Sequence, residues 1–212
     1  MSVINAAIPP EANNPMFEIN NLAPGLSMFG SVFMALFAGM ILAKDRASSF
    51  LTRLFTSPMN ALDFLFGYTT PMLIMAAAQS AITLLAACIF GLPISIHIIP
   101  AIFITAITSL LFIGLGLLSG SLMNEKAVGG VCGALLTNVA GWLSGVFIPI
   151  DLIGGAFKTI TNMLPFYHSI EVIRKILNGN YGEIAPHLAI VLGYTVVIFV
   201  FATISFRRKM SV

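Results

Sequence analysis

Residues 64–90 read FLFGYTTPMLIMAAAQSAITLLAACIF, without a single Asp, Glu, Lys or Arg. A helix needs about 20 apolar residues to cross the hydrocarbon core of a bilayer, and this run supplies them. The apolar character is continuous, so the run does not show the in–out alternation of a barrel strand. The rest of the chain repeats the pattern. Of 212 residues, 58% are hydrophobic and 8% charged, against roughly a quarter charged in an ordinary soluble domain. So apolar a chain needs lipid as the solvent for much of its surface. With no water there to satisfy the backbone, the spanning elements must be helices.

Working outward from residues 64–90, the sequence predicts an all-α polytopic membrane protein with five spans, at about 22–43, 64–90, 100–123, 127–149 and 186–206. Residues 1–21, with Pro9, Pro10 and Pro15, read as an irregular extracytoplasmic tail, and 22–209 as one transmembrane domain. No basic n-region precedes an apolar core at the start, so no secretory signal peptide is expected. Gly91-Leu92-Pro93 marks one turn, and Asn124-Glu125-Lys126 the polar break between the third and fourth spans. Seven of the ten Lys and Arg fall on one side of this layout, namely Lys44, Arg46, Arg53, Lys126, Arg207, Arg208 and Lys209. Lys158, Arg174 and Lys175 fall on the other. The excess predicts a cytoplasmic C-terminus and an outer N-terminus in a cell membrane.

Chemistry-bearing patterns are sparse. The sequence holds no G-x-x-x-x-G-K-[ST] phosphate loop. Leu143-Ser144-Gly145 resembles a fragment of a nucleotide-binding signature, but at membrane depth it carries no weight. His97, His168 and His187 lack metal-ligand spacing and read as hydrogen-bonded residues near the interface. Cys88 and Cys132 read as small core residues. Glu171 and Arg174, at i and i+3, read as a surface ion pair. No ionisable residue sits mid-span, which argues against an ion-coupled pump. The deep polar side chains Gln79 and Asn138 either bond across helices or line a substrate path. Gly116-x-x-x-Gly120 and Gly141-x-x-x-Gly145 have the spacing that lets two helices approach closely, within the chain or between protomers.

Two connections stand out. Residues 45–56 are expected to form a short amphipathic helix on the membrane surface, ended by Pro58. Phe50, Leu51, Leu54 and Phe55 share its apolar face, and Arg53 is available to a carboxylate on a soluble partner. The 149–186 connection is too long for a turn. Its residues 147–157 and 160–177 read as two half-helices separated near Lys158-Thr159, with Pro165 interrupting the second.

Asp45, Arg46, Arg53, Leu54, Ser57 and Pro58, followed by Gly145, Pro149, Leu164, Pro165, His168 and Arg174, resemble the two motifs of ABC-2-type export permeases in order and spacing. The resemblance covers about 22–209. It implies half of a translocation pathway, a dimer with a like or unlike protomer, and a separate ATPase subunit that holds ATP and magnesium. The chain itself would then have no cofactor, no metal and no enzyme activity, and no nucleic acid would be involved. Asp45, Arg46, Phe50, Arg53, Leu54, Ser57 and Pro58 would couple to the ATPase. Gly145, Phe147, Pro149, Leu164, Pro165, His168 and Arg174 would shape an outer gate of re-entrant half-helices. Family members usually have six spans, so the first is expected to be missing here, and Tyr68 stands where a Lys is usual. The competing readings are an ion-coupled transporter or channel, a membrane-embedded enzyme, and a truncated, non-transporting membrane partner.

Overall fold

The computed structural model describes residues 19–48, 60–146 and 155–210. Those residues are helical apart from short connections, and no strand occurs among them. The helices are α1 (Ile19–Ala47), α2 (Ala61–Ile89), α3 (Ile98–Leu122), α4 (Glu125–Val128), α5 (Thr137–Leu143), α6 (Gly155–Met163), α7 (Pro165–Leu177) and α8 (Ile184–Met210). A π-helical segment (Gly129–Leu136) joins α4 to α5, and one 3-10 turn (Tyr181–Glu183) precedes α8. The fold is an all-α polytopic membrane bundle in which α1, α2, α3 and α8 are long and apolar enough to cross a bilayer.

Each long helix keeps its backbone satisfied in a way the sequence explains. Pro71 lies inside α2 and has no amide hydrogen to donate back along the helix. The Thr69 and Thr70 hydroxyls donate to the Leu65 and Phe66 carbonyls just before the defect (2.7 and 2.8 Å), and the helix continues. α2 starts at Asn60, whose backbone N–H donates to the Asp63 carboxylate (2.8 Å). Between α3 and α4 the chain turns at Met123 and Asn124, and the Asn124 side chain accepts from the Ala127 N–H (2.9 Å). The polar break foreseen at Asn124-Glu125-Lys126 is this cap.

The fourth predicted span is built differently from the other four. Glu125 to Leu143 is continuous helix, but eight residues of it are π-wound. Gly129, Gly130 and Gly133 make that stretch conformationally permissive. The Thr137 hydroxyl donates five residues back to the Cys132 carbonyl (3.3 Å), in step with the wider winding. α5 then stops at Gly145, which takes φ +76°, the left-handed position that glycine supplies at helix ends.

Two expectations for the long connection change. The break does not fall at Lys158-Thr159. α6 runs through those residues to Met163, and the chain breaks at Leu164, which is extended (φ −93°, ψ 148°) because Pro165 follows it. Pro165 does not interrupt a helix either. It opens α7 at the position where its missing N–H costs nothing. Of the irregular tail expected at 1–21, residues 19–21 already belong to α1, while residues 1–18, the surface helix beyond Ser48 and the start of the first half-helix (147–154) lie outside the described residues.

α1 and α3 form the centre of the bundle. Gly116 and Gly120 of α3 face Ala35 and Gly39 of α1 so closely that a Cβ on either α3 glycine would overlap an α1 carbonyl oxygen. The Gly116-x-x-x-Gly120 motif therefore packs within the chain. Around this seam lie Met28, Val32, Leu111, Phe112 and Ile170 on one side, and Leu42, Leu65, Ile113, Leu117 and Phe206 on the other.

Candidate functional site

The bundle has two polar ends. At one, the ends of α1, α3 and α8 meet the starts of α2 and α4, bringing Lys44, Arg46, Lys126, Arg207 and Arg208 together. Arg46 does not point away from the bundle. Its guanidinium donates to the carbonyls of Gly120 (3.1 Å), Ser121 and Met123 (3.3 Å), at the open end of α3. These include carbonyls that a helix end leaves without intrahelical partners, and a cation there also opposes the helix dipole. Asp45 accepts from the Tyr68 hydroxyl (2.7 Å), tying α1 to α2. A phenol donating to the carboxylate thus occupies the place where the resemblance leads one to expect a lysine. The Ser121 and Ser205 hydroxyls bond across α3 and α8 (3.0 Å), and Phe64 of α2 packs on Phe206 (centroids 5.6 Å apart). Beside Arg46 opens a cleft of about 600 Å³, lined by Met40, Ala43, Asn124, Glu125, Lys126 and Gly129 among others. Phe50, Arg53, Leu54, Ser57 and Pro58 lie outside the described residues.

At the opposite end, α7 lies under the starts of α3 and α8. His168 is buried, and its two ring nitrogens are both engaged. Nε2 lies 2.8 Å from the Asn162 carbonyl, which can only accept, so Nε2 carries a proton. Nδ1 lies 2.7 Å from Nδ1 of His187 on α8, a bond that requires one protonated and one bare nitrogen. The expectation of hydrogen-bonded histidines fits this geometry, but sequence reading did not pair the two. No third His, Cys, Asp or Glu joins them to form a metal-holding cluster among the described residues.

Glu171 and Arg174 form the ion pair foreseen from their spacing, but it is not a surface pair. The Glu171 side chain is only 9% exposed, because α7 is packed against α8 and α3. Arg174 Nε is buried without a hydrogen-bond partner. On the outer side of α7, Lys175 donates to Glu183, which raises the lysine pKa above its ordinary value. At the start of α3, His97 Nδ1 lies 2.5 Å from the Tyr181 hydroxyl, with the rings 5.5 Å apart. Gly179 (φ +76°) lets the chain pass under the same imidazole. Pro165, His168 and Arg174 are thus brought together on α7, with Leu164 as its extended cap, while Gly145 lies just past the end of α5. Phe147 and Pro149 lie outside the described residues.

The two mid-span polar residues do not bond across helices. Gln79 donates to Thr83 one turn along α2 (3.0 Å) and rests against Gly30 of α1, where a Cβ would collide with its amide. Its Oε1 is buried without a partner. Asn138 donates to the Ala134 carbonyl of its own helix (2.8 Å) and is exposed, as are Leu135 and Trp142 nearby.

Spanning helices without charge at mid-depth, joined by polar clasps at both ends, define a multi-pass helical membrane protein. A family model described as "ABC-2 family transporter protein" matches residues 4–204, and the chain belongs to that family. Among curated proteins it is similar to Nodulation protein J of Rhizobium meliloti (strain 1021), 37% identical over 70 residues, or 32% of this chain and 27% of the relative. It is also similar to Nodulation protein J of Rhizobium leguminosarum bv. viciae, 31% identical over 108 residues, or 50% of this chain and 42% of the relative. The counterpart in bv. trifolii is 29% identical over 108 residues, covering 50% and 41%. The chain thus spans less than half the length of the curated relatives it matches. No solved structure matches it significantly.

Proposed function

We infer that this chain is the membrane-spanning permease subunit of an ATP-driven exporter, forming half of the pathway and drawing energy from a separate ATPase. The observation that carries the reading is the family match over residues 4–204. In this reading ATP and magnesium belong to the ATPase, and the permease works mechanically.

The basic end is the cytoplasmic one, with the N-terminus outside and the C-terminus inside. The charge excess supports this, since seven of ten Lys and Arg group at that end in the sequence layout. Asp45, Phe50, Arg53, Leu54, Ser57 and Pro58 belong to the stretch that couples to the ATPase, while Arg46, within the same stretch, turns its guanidinium onto the carbonyls of α3. Leu54 and Phe50 supply an apolar anchor, and Arg53 a charge for a partner carboxylate. Gly145, Phe147, Pro149, Leu164, Pro165, His168 and Arg174 shape the outer gate. A second protomer covers the face of α5 that carries Asn138 and Trp142. An exposed amide at span depth is costly against lipid, which supports a protein-lined or water-lined environment for it.

The test is co-purification of the tagged chain with ATPase subunits of its own host, followed by ATP hydrolysis in lipid. A stoichiometric ATPase is expected. Arg53→Ala and Leu54→Ala should each cut its recovery by about tenfold, the loss typical of an interface anchor, while membrane insertion is unchanged. A chain that inserts and folds yet recruits no ATPase would overturn the reading.

A further inference from the structure

We propose that Arg46 is a positioning residue that clasps α3 to the end of α1, making the pair one lever that carries displacement from the coupling stretch to the far end of the bundle. The proposal rests on the exporter reading above and assigns Arg46 a different partner within it. The Arg46 donors are spent on the chain's own carbonyls at Gly120, Ser121 and Met123, which leaves the guanidinium poorly placed to serve an ATPase.

Three observations make α3 the lever. First, α1 and α3 touch backbone to backbone at Ala35, Gly39, Gly116 and Gly120, a contact with no long side chains to flex. Packed interiors transmit displacement rather than absorb it. Second, Arg46 closes that seam at the end of α1, where the sequence runs on into the rest of the coupling stretch. Third, the other end of α3 is also clasped. His97, which precedes its first residue, is bonded to Tyr181 and lies over Gly179, in the turns between α7 and α8. A shift of α1 along its axis therefore moves α3, and α3 moves the turn that sets α7 against α8. The Asp45–Tyr68 bond gives α2 a share of the same displacement.

The experiment uses the permease–ATPase complex in lipid, with Cys88 and Cys132 replaced by Ala and a spin label on Gly182→Cys. Gly182 lies in the turn beside Tyr181, and a Cβ there meets nothing within 4 Å. ATP is expected to change the label's mobility in the otherwise native complex. Arg46→Gln should shrink that response by at least about fivefold, the lower end of usual coupling strengths, while ATPase recovery and ATP hydrolysis stay within about twofold of native. Arg46→Lys, which keeps the charge but not the fork of donors, should fall between them. The lysine variant also keeps the test sound if the glutamine variant folds poorly.

Three results overturn the proposal. A full response in Arg46→Gln would show that the clasp carries nothing. Loss of ATPase recovery in Arg46→Gln, matching Leu54→Ala, would make Arg46 a partner contact. No ATP response at Gly182 in the native complex would show that α3 does not carry the stroke. If the native chain brings down no ATPase, the exporter reading itself fails, and that result is distinct from the other three.

Discussion

The α1–α3 seam and the outward faces of α2 and α8 are made from opposite residue choices. In the most apolar stretch of α1 and of α3, 56% of residues are buried, against 28% in α2 and 22% in α8. The seam is made of Gly and Ala with backbone nearly touching. The outward faces carry Ile74, Ile82, Leu85, Val196, Val200 and Phe201, all exposed from the bundle. In lipid, apolar bulk is no reason for helices to associate, since lipid tails are equally apolar. Close packing of small residues is, and it selects the central pair. The large residues outside solve a different problem, that of matching a liquid hydrocarbon.

The sharpest way to break that contrast is one methyl group. Gly116→Ala puts a Cβ into the Ala35 carbonyl, so α1 and α3 must separate. Overpacking of this kind costs about 1–3 kcal/mol, and the clash with rigid backbone puts the outcome at the upper end, read as a lower unfolding midpoint in detergent titration. A smaller loss is expected at the other end. His168→Ala leaves the Asn162 carbonyl and the half-buried His187 ring without their partner, at about 1–3 kcal/mol, with the α6–α7 corner exchanging its amide hydrogens faster. Tyr68→Phe removes one hydrogen bond to a half-exposed Asp45 and should cost about 0.5–1.5 kcal/mol in the same titration. The smallest effect has the reverse sign. Gly193→Ala on α8 adds a Cβ where nothing lies within 4 Å, so the helix should gain about 0.5–1 kcal/mol. If Gly116→Ala and Gly193→Ala behaved alike, the distinction between seam and outer face would be wrong.

Much of this was legible because hydrocarbon length and punctuation are strong signals. Residues 64–90 announce a span, Asn124-Glu125-Lys126 a polar break between two others, and Gly116-x-x-x-Gly120 a close contact. What the sequence could not say is which helices are central. α2 and α3 are apolar nearly all round, so neither has a polar face to mark which side turns away from lipid. The π-winding of 129–136 was equally hidden, because its residues would serve an α-helix too. The corner at Leu164 was readable. A proline after a residue free to extend starts a helix more readily than it breaks one, whereas Lys158-Thr159 contains no breaker. The His168–His187, Asp45–Tyr68 and His97–Tyr181 bonds join residues far apart in sequence, and spacing says nothing about such pairs. The burial of Glu171 and the partial burial of Arg174 likewise depend on where α7 lands, not on their separation of three.

The eight π-wound residues between α4 and α5 hold one further consequence. Winding with bonds five residues apart stores surplus length in the helix. An α-helix turns about 100° per residue, and the wider winding turns less, so the faces beyond it fall out of step with those before it. Relative to the Asn124 cap, Asn138 and Trp142 therefore emerge on a face that unbroken α-winding would not give them. The direction in which the fourth membrane-depth element presents its exposed amide and indole is thus set by the pitch of the eight residues at 129–136.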